Sequence, residues 1–123
     1  MTITLATLNQ ATSQQVFDQV SNHLLTQMER STNPFSSLCA YRSGTLKCAA
    51  GCLIADNEYS IRMEGNSWVG LRRELGVTMS HESLIVYLQR IHDSCYPSRW
   101  AIEMQKLASS LNLQCNFDLG AKP

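Results

Sequence analysis

Four consecutive residues, Ala49-Ala50-Gly51-Cys52, carry almost no side-chain volume, and a fold uses such a stretch where a second piece of backbone must come close. Around this run the chain reads as a β-hairpin followed by its most buried segment. Leu38-Cys39-Ala40-Tyr41 and Thr45-Leu46-Lys47-Cys48 flank Arg42-Ser43-Gly44, whose glycine can supply the positive φ of a tight turn. Leu53-Ile54 then follows the small residues. Asp56 is placed to cap a short helical turn over residues 57–61, and Gly65-Asn66 breaks the chain before the next element.

Helical periodicity dominates on either side. Thr12 with Gln15 three residues on resembles a capping box, and Val16, Phe17, Val20, Leu24 and Met28 recur at spacings of three and four. The pattern predicts a helix over about residues 13–30, ended by Ser31-Thr32-Asn33-Pro34. Asn66 or Ser67 can cap a second helix with Trp68, Leu71 and Leu75 inward and Gly76 as its left-handed stop. Ser80 opens a third, with Leu84, Ile85, Leu88 and Ile91 on one face. Pro97 suits the first turn of a fourth, with Trp100, Met104, Leu107, Ala108 and Leu111 inward. The short connection between the last two makes them packed neighbours, antiparallel or steeply crossed. Residues 1–11 form an N-terminal arm or short strand, and 114–123 a C-terminal tail. Pairing of the hairpin with either end is left open. The fold class is therefore α+β, mostly helical, with four to five helices around a short central β-hairpin.

A chain of 123 residues fits one domain. With 44% hydrophobic and 16% charged residues it has enough apolar surface to fold. Ten basic residues balance ten acidic ones, so the overall field gives no long-range attraction to nucleic acid or anionic lipid. No window nears the roughly 18 apolar residues of a membrane span, and the N-terminus lacks a signal-peptide pattern. The expected location is the cytoplasm. Five cysteines, an odd number, point to free thiols or metal ligands rather than a disulfide framework.

Several constellations could carry chemistry. Cys39 and Cys48 could face each other across the hairpin, and Cys52, His92 and Cys95 complete an inventory from which zinc could draw four ligands. Neither C-x-x-C nor H-x3-H spacing is present, and a buried thiol also serves as an ordinary small hydrophobe. Cys48 or Cys52 with His92 and Asp93 supplies the residue types of a thiol nucleophile. The structural alternative puts His92 against the unpaired carbonyls of its helix end and leaves Asp93 a solvated turn residue. Arg62, Arg72, Arg73, Arg90 and Arg99 could gather as an anion site, although Glu58, Glu64, Glu74 and Glu82 are interspersed. Tyr59 and Tyr96 are the best exposed aromatic candidates for an interface, whereas Trp68 and Trp100 lie on core faces.

The words Cys-x-Tyr-Arg, Leu-Lys-Cys-Ala-x-Gly-Cys-Leu-Ile-x-Asp-x-Glu-Tyr, Met63-Glu64-Gly65 and Ile91-His92-Asp93 resemble a group of small uncharacterised proteins from tailed phages and bacteria, over roughly residues 14–108. That resemblance implies a viral or mobile-element context and no catalytic residue. The expected function is a small non-enzymatic protein-binding or regulatory module, such as a phage-encoded antagonist of a host enzyme or defence system. It would bind a protein partner through Tyr41, Arg42, Tyr59, Arg62 and Tyr96, without a cofactor, and present an exposed apolar patch of several hundred Å². The alternatives are a small-molecule or nucleotide-sequestering protein with converging arginines, and a thiol or zinc site at Cys48, Cys52 and His92.

Overall fold

The computed structural model describes residues 2–35, 38–77 and 80–117. It is a mostly helical α+β fold with four α-helices, α1 (Ser13–Gln27), α2 (Trp68–Leu75), α3 (Glu82–Ser94) and α4 (Pro97–Ser110), and a two-stranded antiparallel hairpin, β1 (Arg42–Ser43) with β2 (Leu46–Lys47). No described helix is long and apolar enough to cross a membrane.

Local chemistry sets the helix ends. Thr12 and Gln15 form the expected reciprocal capping box on α1. The helix stops at Gln27, three residues before the expected limit, because Met28 turns left-handed (φ 54°) with its amide still on the Leu24 carbonyl. Ser67 caps α2 through the Gly70 amide, and Gly76 (φ 68°) ends it with the Val77 amide on the Arg72 carbonyl. Pro97 opens α4 as read from sequence. Asn112 (φ 58°) closes α4 in the same way, with the Leu113 amide on the Ala108 carbonyl.

The helices form a three-membered core. Ser13 and Ala11 touch His81 at one end of α1 and α3, while Arg30 and Ser31 reach Cys95 and His92 at the other. α1 and α3 therefore run in the same direction, with α4 antiparallel against both and α2 against α3. Val16, Phe17, Val20 and Leu24 meet Leu84, Ile85, Leu88, Trp100, Met104 and Ala108 in the interior. Leu75 and Leu111, assigned inward from sequence, are exposed: Leu75 is the last residue of α2 and Leu111 the first beyond α4.

Two parallel helices need a long return between them, and residues 28–67 supply it. The hairpin is shorter than expected and its turn sits one residue later. Ser43 pairs with Leu46 and Arg42 with Lys47, leaving Gly44 (φ 62°) and Thr45 as the two turn residues. Cys39 is not opposite Cys48; it pairs instead with Thr32 across an isolated bridge, while the Cys48 amide donates to the Tyr41 carbonyl. Asp56 caps no helix. The helical turn falls at Ile61–Met63 and is capped by the Ser60 side chain. The N-terminal segment is an arm with a single turn at Leu8–Gln10 that buries Ile3 and Leu8. The tail to Phe117 returns along α1, where Phe117 stacks on Phe17. Neither segment joins the hairpin, and the tail from residue 118 lies outside the described residues.

The small-residue run behaves as its composition demands. A Cβ on Gly51 would lie 2.2 Å from the Tyr41 carbonyl oxygen, with backbone on both sides of the contact. Gly51→Ala should destabilise the fold by about 2–3 kcal/mol through overpacking. Urea unfolding would read this as a lower midpoint at unchanged m-value. An unchanged midpoint would mean that the two backbones separate freely.

Candidate functional site

The segment richest in unusual residues is consumed by its own architecture. The Glu64 carboxylate accepts from the amides of Tyr41 (2.9 Å) and Arg42 (3.1 Å) and from the Tyr59 hydroxyl. Tyr41 is buried, and its hydroxyl donates to the Asn66 carbonyl at 2.7 Å. Arg42 lies 4.8 Å over the Tyr59 ring, donates to the Ile54 carbonyl at 2.8 Å and pairs with Asp56 at 2.7 Å. Burial, with the Glu64 carboxylate beside it, pushes the Tyr59 hydroxyl up to about 12. Three of the five residues expected to contact a partner, Tyr41, Arg42 and Tyr59, are thus tied to the protein's own loops. Arg62 and Tyr96 are exposed.

A second network surrounds His92 and Asp93. His92 is fully buried and stacks on Trp100, and its Nε2 lies 3.0 Å from the Ser31 amide. A backbone N–H only donates, so Nε2 is the acceptor and the ring proton sits on Nδ1, which donates to Asp93 at 2.8 Å. The same carboxylate accepts from the Gln89 amide group at 2.7 Å and from the Cys39 thiol. Gln89 in turn accepts from the Ala50 amide at 2.9 Å. His92 therefore grips the return loop rather than the carbonyls of its own helix end, and Asp93 belongs to α3 as a hydrogen-bond hub rather than a solvated turn.

This cluster looks like a site and is wired as a clamp. The ligand-type atoms of Cys39, His92 and Asp93 lie within 4.8 Å of one another, while Cys48, Cys52 and Cys95 are not in the group. A histidine that binds zinc through one nitrogen ordinarily donates a proton from the other. On His92 the other nitrogen faces the Ser31 donor, so a metal on Nδ1 would set two donors against each other. Nor is there an activated thiol here. Burial and the adjoining Asp93 carboxylate push Cys39 up to about 12; burial pushes Cys52 up to about 12, against the pull of Lys47, and raises Cys48 further. The Cys48 sulfur accepts from the Gly51 amide and the Cys52 thiol donates to the Ala49 carbonyl, so both close their own turn.

Three of the five arginines considered for an anion site have local partners: Arg72 pairs with Glu82, Arg99 with Glu103, and Arg90 lies over Tyr87. A surface groove of about 480 Å³ is lined by Ser13, residues 81–84, Leu111 and Leu113, with no arginine.

Exposed apolar side chains include Ile61, 76% exposed, and a group at the end of the molecule where the return loop crosses the junction of α3 and α4. Phe35 is 96% exposed, Tyr96 73% and Leu38 68%. The loop bearing the first and last is pinned by the Thr32–Cys39 bridge, by the Asn33 amide on the Leu38 carbonyl at 2.6 Å, and by the Ala40 amide on the Ser31 carbonyl at 2.9 Å. Arg30 holds its base through the Cys95 carbonyl and lies 5.5 Å over the Tyr96 ring. Phe35 and Leu38 were not among the residues picked from sequence. The available signal was a phenylalanine next to a proline in an otherwise polar stretch. No protein-family model, curated protein or solved structure matches this chain.

Two outcomes follow for this region. At pH 8 a thiol near 12 has roughly a thousandfold less thiolate than an ordinary cysteine. Iodoacetamide should therefore leave Cys39 and Cys52 unmodified in the folded protein over a time that fully alkylates the urea-unfolded chain. Rapid labelling of Cys39 would reveal an activated thiol.

The acid limb of stability is the second outcome. Burial alone would raise the Asp93 carboxyl, but hydrogen bonds from His92, Cys39 and Gln89 outweigh it and hold it below its ordinary value. The unfolded chain then binds the proton more readily, so this contribution is present above the ordinary aspartate range and is lost as pH falls through it. Burial also holds His23 below the ordinary imidazole value, although its bond to the Lys47 carbonyl works the other way. It adds an earlier loss as pH drops below that of free histidine. Asp93→Asn should flatten the lower part of the stability-against-pH curve, and His23→Gln the upper part. A D93N curve parallel to wild type would show that Asp93 titrates as in the unfolded chain.

Proposed function

We propose that this chain is a protein-binding regulatory module that seats Phe35, Leu38 and Tyr96 in an apolar cleft of its partner. The carrying observation is that Phe35, almost wholly exposed, stands on a loop fixed at its base by a buried network. The base of this loop is held in place before binding, so contact made close to it converts to affinity with less entropic loss. A large ring held outward in water gains free energy when a partner covers it, whereas scattered surface leucines need no such explanation. The balanced charge favours a protein surface over a phosphate backbone or an anionic membrane. The likeness of the Cys-x-Tyr-Arg and Leu-Lys-Cys-Ala segments to phage proteins supports a host enzyme or defence protein as the partner.

Phe35→Asp and Tyr96→Asp test this reading. Both positions are exposed, so thermal melting should stay within about 0.5 kcal/mol of wild type. Affinity capture from a bacterial host lysate should yield one stoichiometric protein with wild type, and binding of that protein should weaken at least a hundredfold in F35D. Equal capture by wild type and both variants would remove this end of the molecule from the interface.

A further inference from the structure

At the far end of α1 from Phe35, the N-termini of α1 and α3 meet through two side chains. Ser13 Oγ lies 3.1 Å from Nδ1 of His81, and Nε2 of the same ring lies 2.7 Å from the Ala11 carbonyl oxygen. A carbonyl only accepts, so Nε2 carries the ring proton and Nδ1 turns its lone pair to the Ser13 hydroxyl, which donates to it. The three groups are an alcohol, a base held in its accepting tautomer, and an acceptor that orients the base. A backbone carbonyl stands where a carboxylate completes the serine triads of hydrolases.

The surroundings suit a reacting group. His81 occupies the left-handed region at φ 64°, an uncommon place for a residue other than glycine, and its side chain does not cap α3. Its ring is committed to Ser13 and Ala11 instead. Ser13 is exposed and opens on the groove of about 480 Å³, whose apolar wall is Leu84, Leu111 and Leu113. Glu82 at its lip is neutralised by Arg72. The capping box satisfies the amides of Thr12 and Gln15, which leaves those of Ser13 and Gln14 without an intrahelical acceptor beside the hydroxyl.

We propose that Ser13 and His81 form a nucleophile and base pair that accepts the acyl group of small uncharged carboxylic esters. Ser13 Oγ bonds to the ester carbonyl carbon as its proton passes to His81 Nδ1, and the first-turn amides face the developing oxyanion. The carbon–oxygen bond to the leaving alcohol breaks, and that alcohol takes the proton from His81. Water then attacks the acyl-serine and gives a proton to His81. The ester bond to Ser13 breaks, the carboxylic acid departs, and Oγ recovers its proton. This site is remote from the Phe35 face and does not depend on the docking reading.

The test uses the full chain with a fluorophosphonate probe and with p-nitrophenyl acetate, alongside Ser13→Ala and His81→Asn. Asparagine is chosen because it tolerates the left-handed backbone at this position. Wild type should carry one phosphonyl group, mapped by mass spectrometry to Ser13, and release a burst of nitrophenolate. S13A should carry none. H81N should label at least a hundredfold more slowly at an unchanged melting temperature, in line with the loss of a general base. Probe on another residue, no probe on Ser13, or p-nitrophenyl acetate turnover by S13A equal to wild type would overturn the proposal. The S13A comparison decides the matter even if H81N unfolds.

Discussion

The Asp93 carboxylate receives donors from α3 itself, from His92 and Gln89, and from the return loop at Cys39, while the same two α3 side chains hold the amides of Ser31 and Ala50. This one cluster fixes the long irregular connection that a parallel pair of helices makes unavoidable. Among the described residues of 28–67 a short hairpin, one isolated bridge and a series of tight turns pair part of the backbone. Buried amides and carbonyls left unpaired would each cost free energy comparable to a lost hydrogen bond. Helix side chains take the place of the missing sheet.

Side chains of α1, and carboxylates of the connection itself, serve loop backbone elsewhere in the same way. Gln27 accepts from the Lys47 amide and donates to its carbonyl, and His23 meets the same carbonyl. Gln19 brackets both backbone groups of Ile3 and reaches the Cys52 carbonyl. Glu58 accepts from the amides of Leu5, Ala6 and Ala55, and Glu64 from those of Tyr41 and Arg42. Groups of histidine, carboxylate and cysteine that resemble catalytic or metal sets arise naturally from this arrangement. Side chains able to satisfy loop backbone are the same ones that perform chemistry elsewhere. What distinguishes the two roles is what the ring nitrogens hold, and on His92 they hold a backbone amide and a carboxylate, neither of which is a nucleophile whose proton the ring could take.

The four helices were legible from apolar spacing, and three of them also from end residues, Thr12, Ser67, Gly76 and Pro97; α3 starts at Glu82 behind a left-handed His81 rather than at Ser80, with no side-chain cap to mark it. The close approach at Gly51 was legible for a similar reason, since only its absence of side chain permits the contact. Other features depend on distant partners and left no local trace. The early stop of α1 at a left-handed Met28 is coupled to Ser31 reaching His92, and the pairing of Cys39 with Thr32 rather than Cys48 follows from that docking. Arg42 and Tyr59 read as interface candidates because their types favour interfaces, yet Glu64, Asp56 and the Ile54 carbonyl hold them inward. Phe35 was passed over because nothing in its neighbourhood is periodic.

The same logic separates the two ends of the molecule. At the end containing His92, the network is closed and ties down the base of the loop that carries the exposed Phe35. Tyr96 stands there because Pro97, fixed at the first turn of α4, sends the preceding residue into extended backbone and away from the core (φ −65°, ψ 147°). At the other end, Ser13 and His81 are joined to each other and to one carbonyl, with the hydroxyl still facing solvent. A satisfied buried histidine holds structure, whereas a histidine bonded to an exposed alcohol retains a proton acceptor that a substrate can reach. A backbone amide and a carboxylate on the His92 ring, against an exposed hydroxyl on the His81 ring, separate a support from a candidate site more than residue type does.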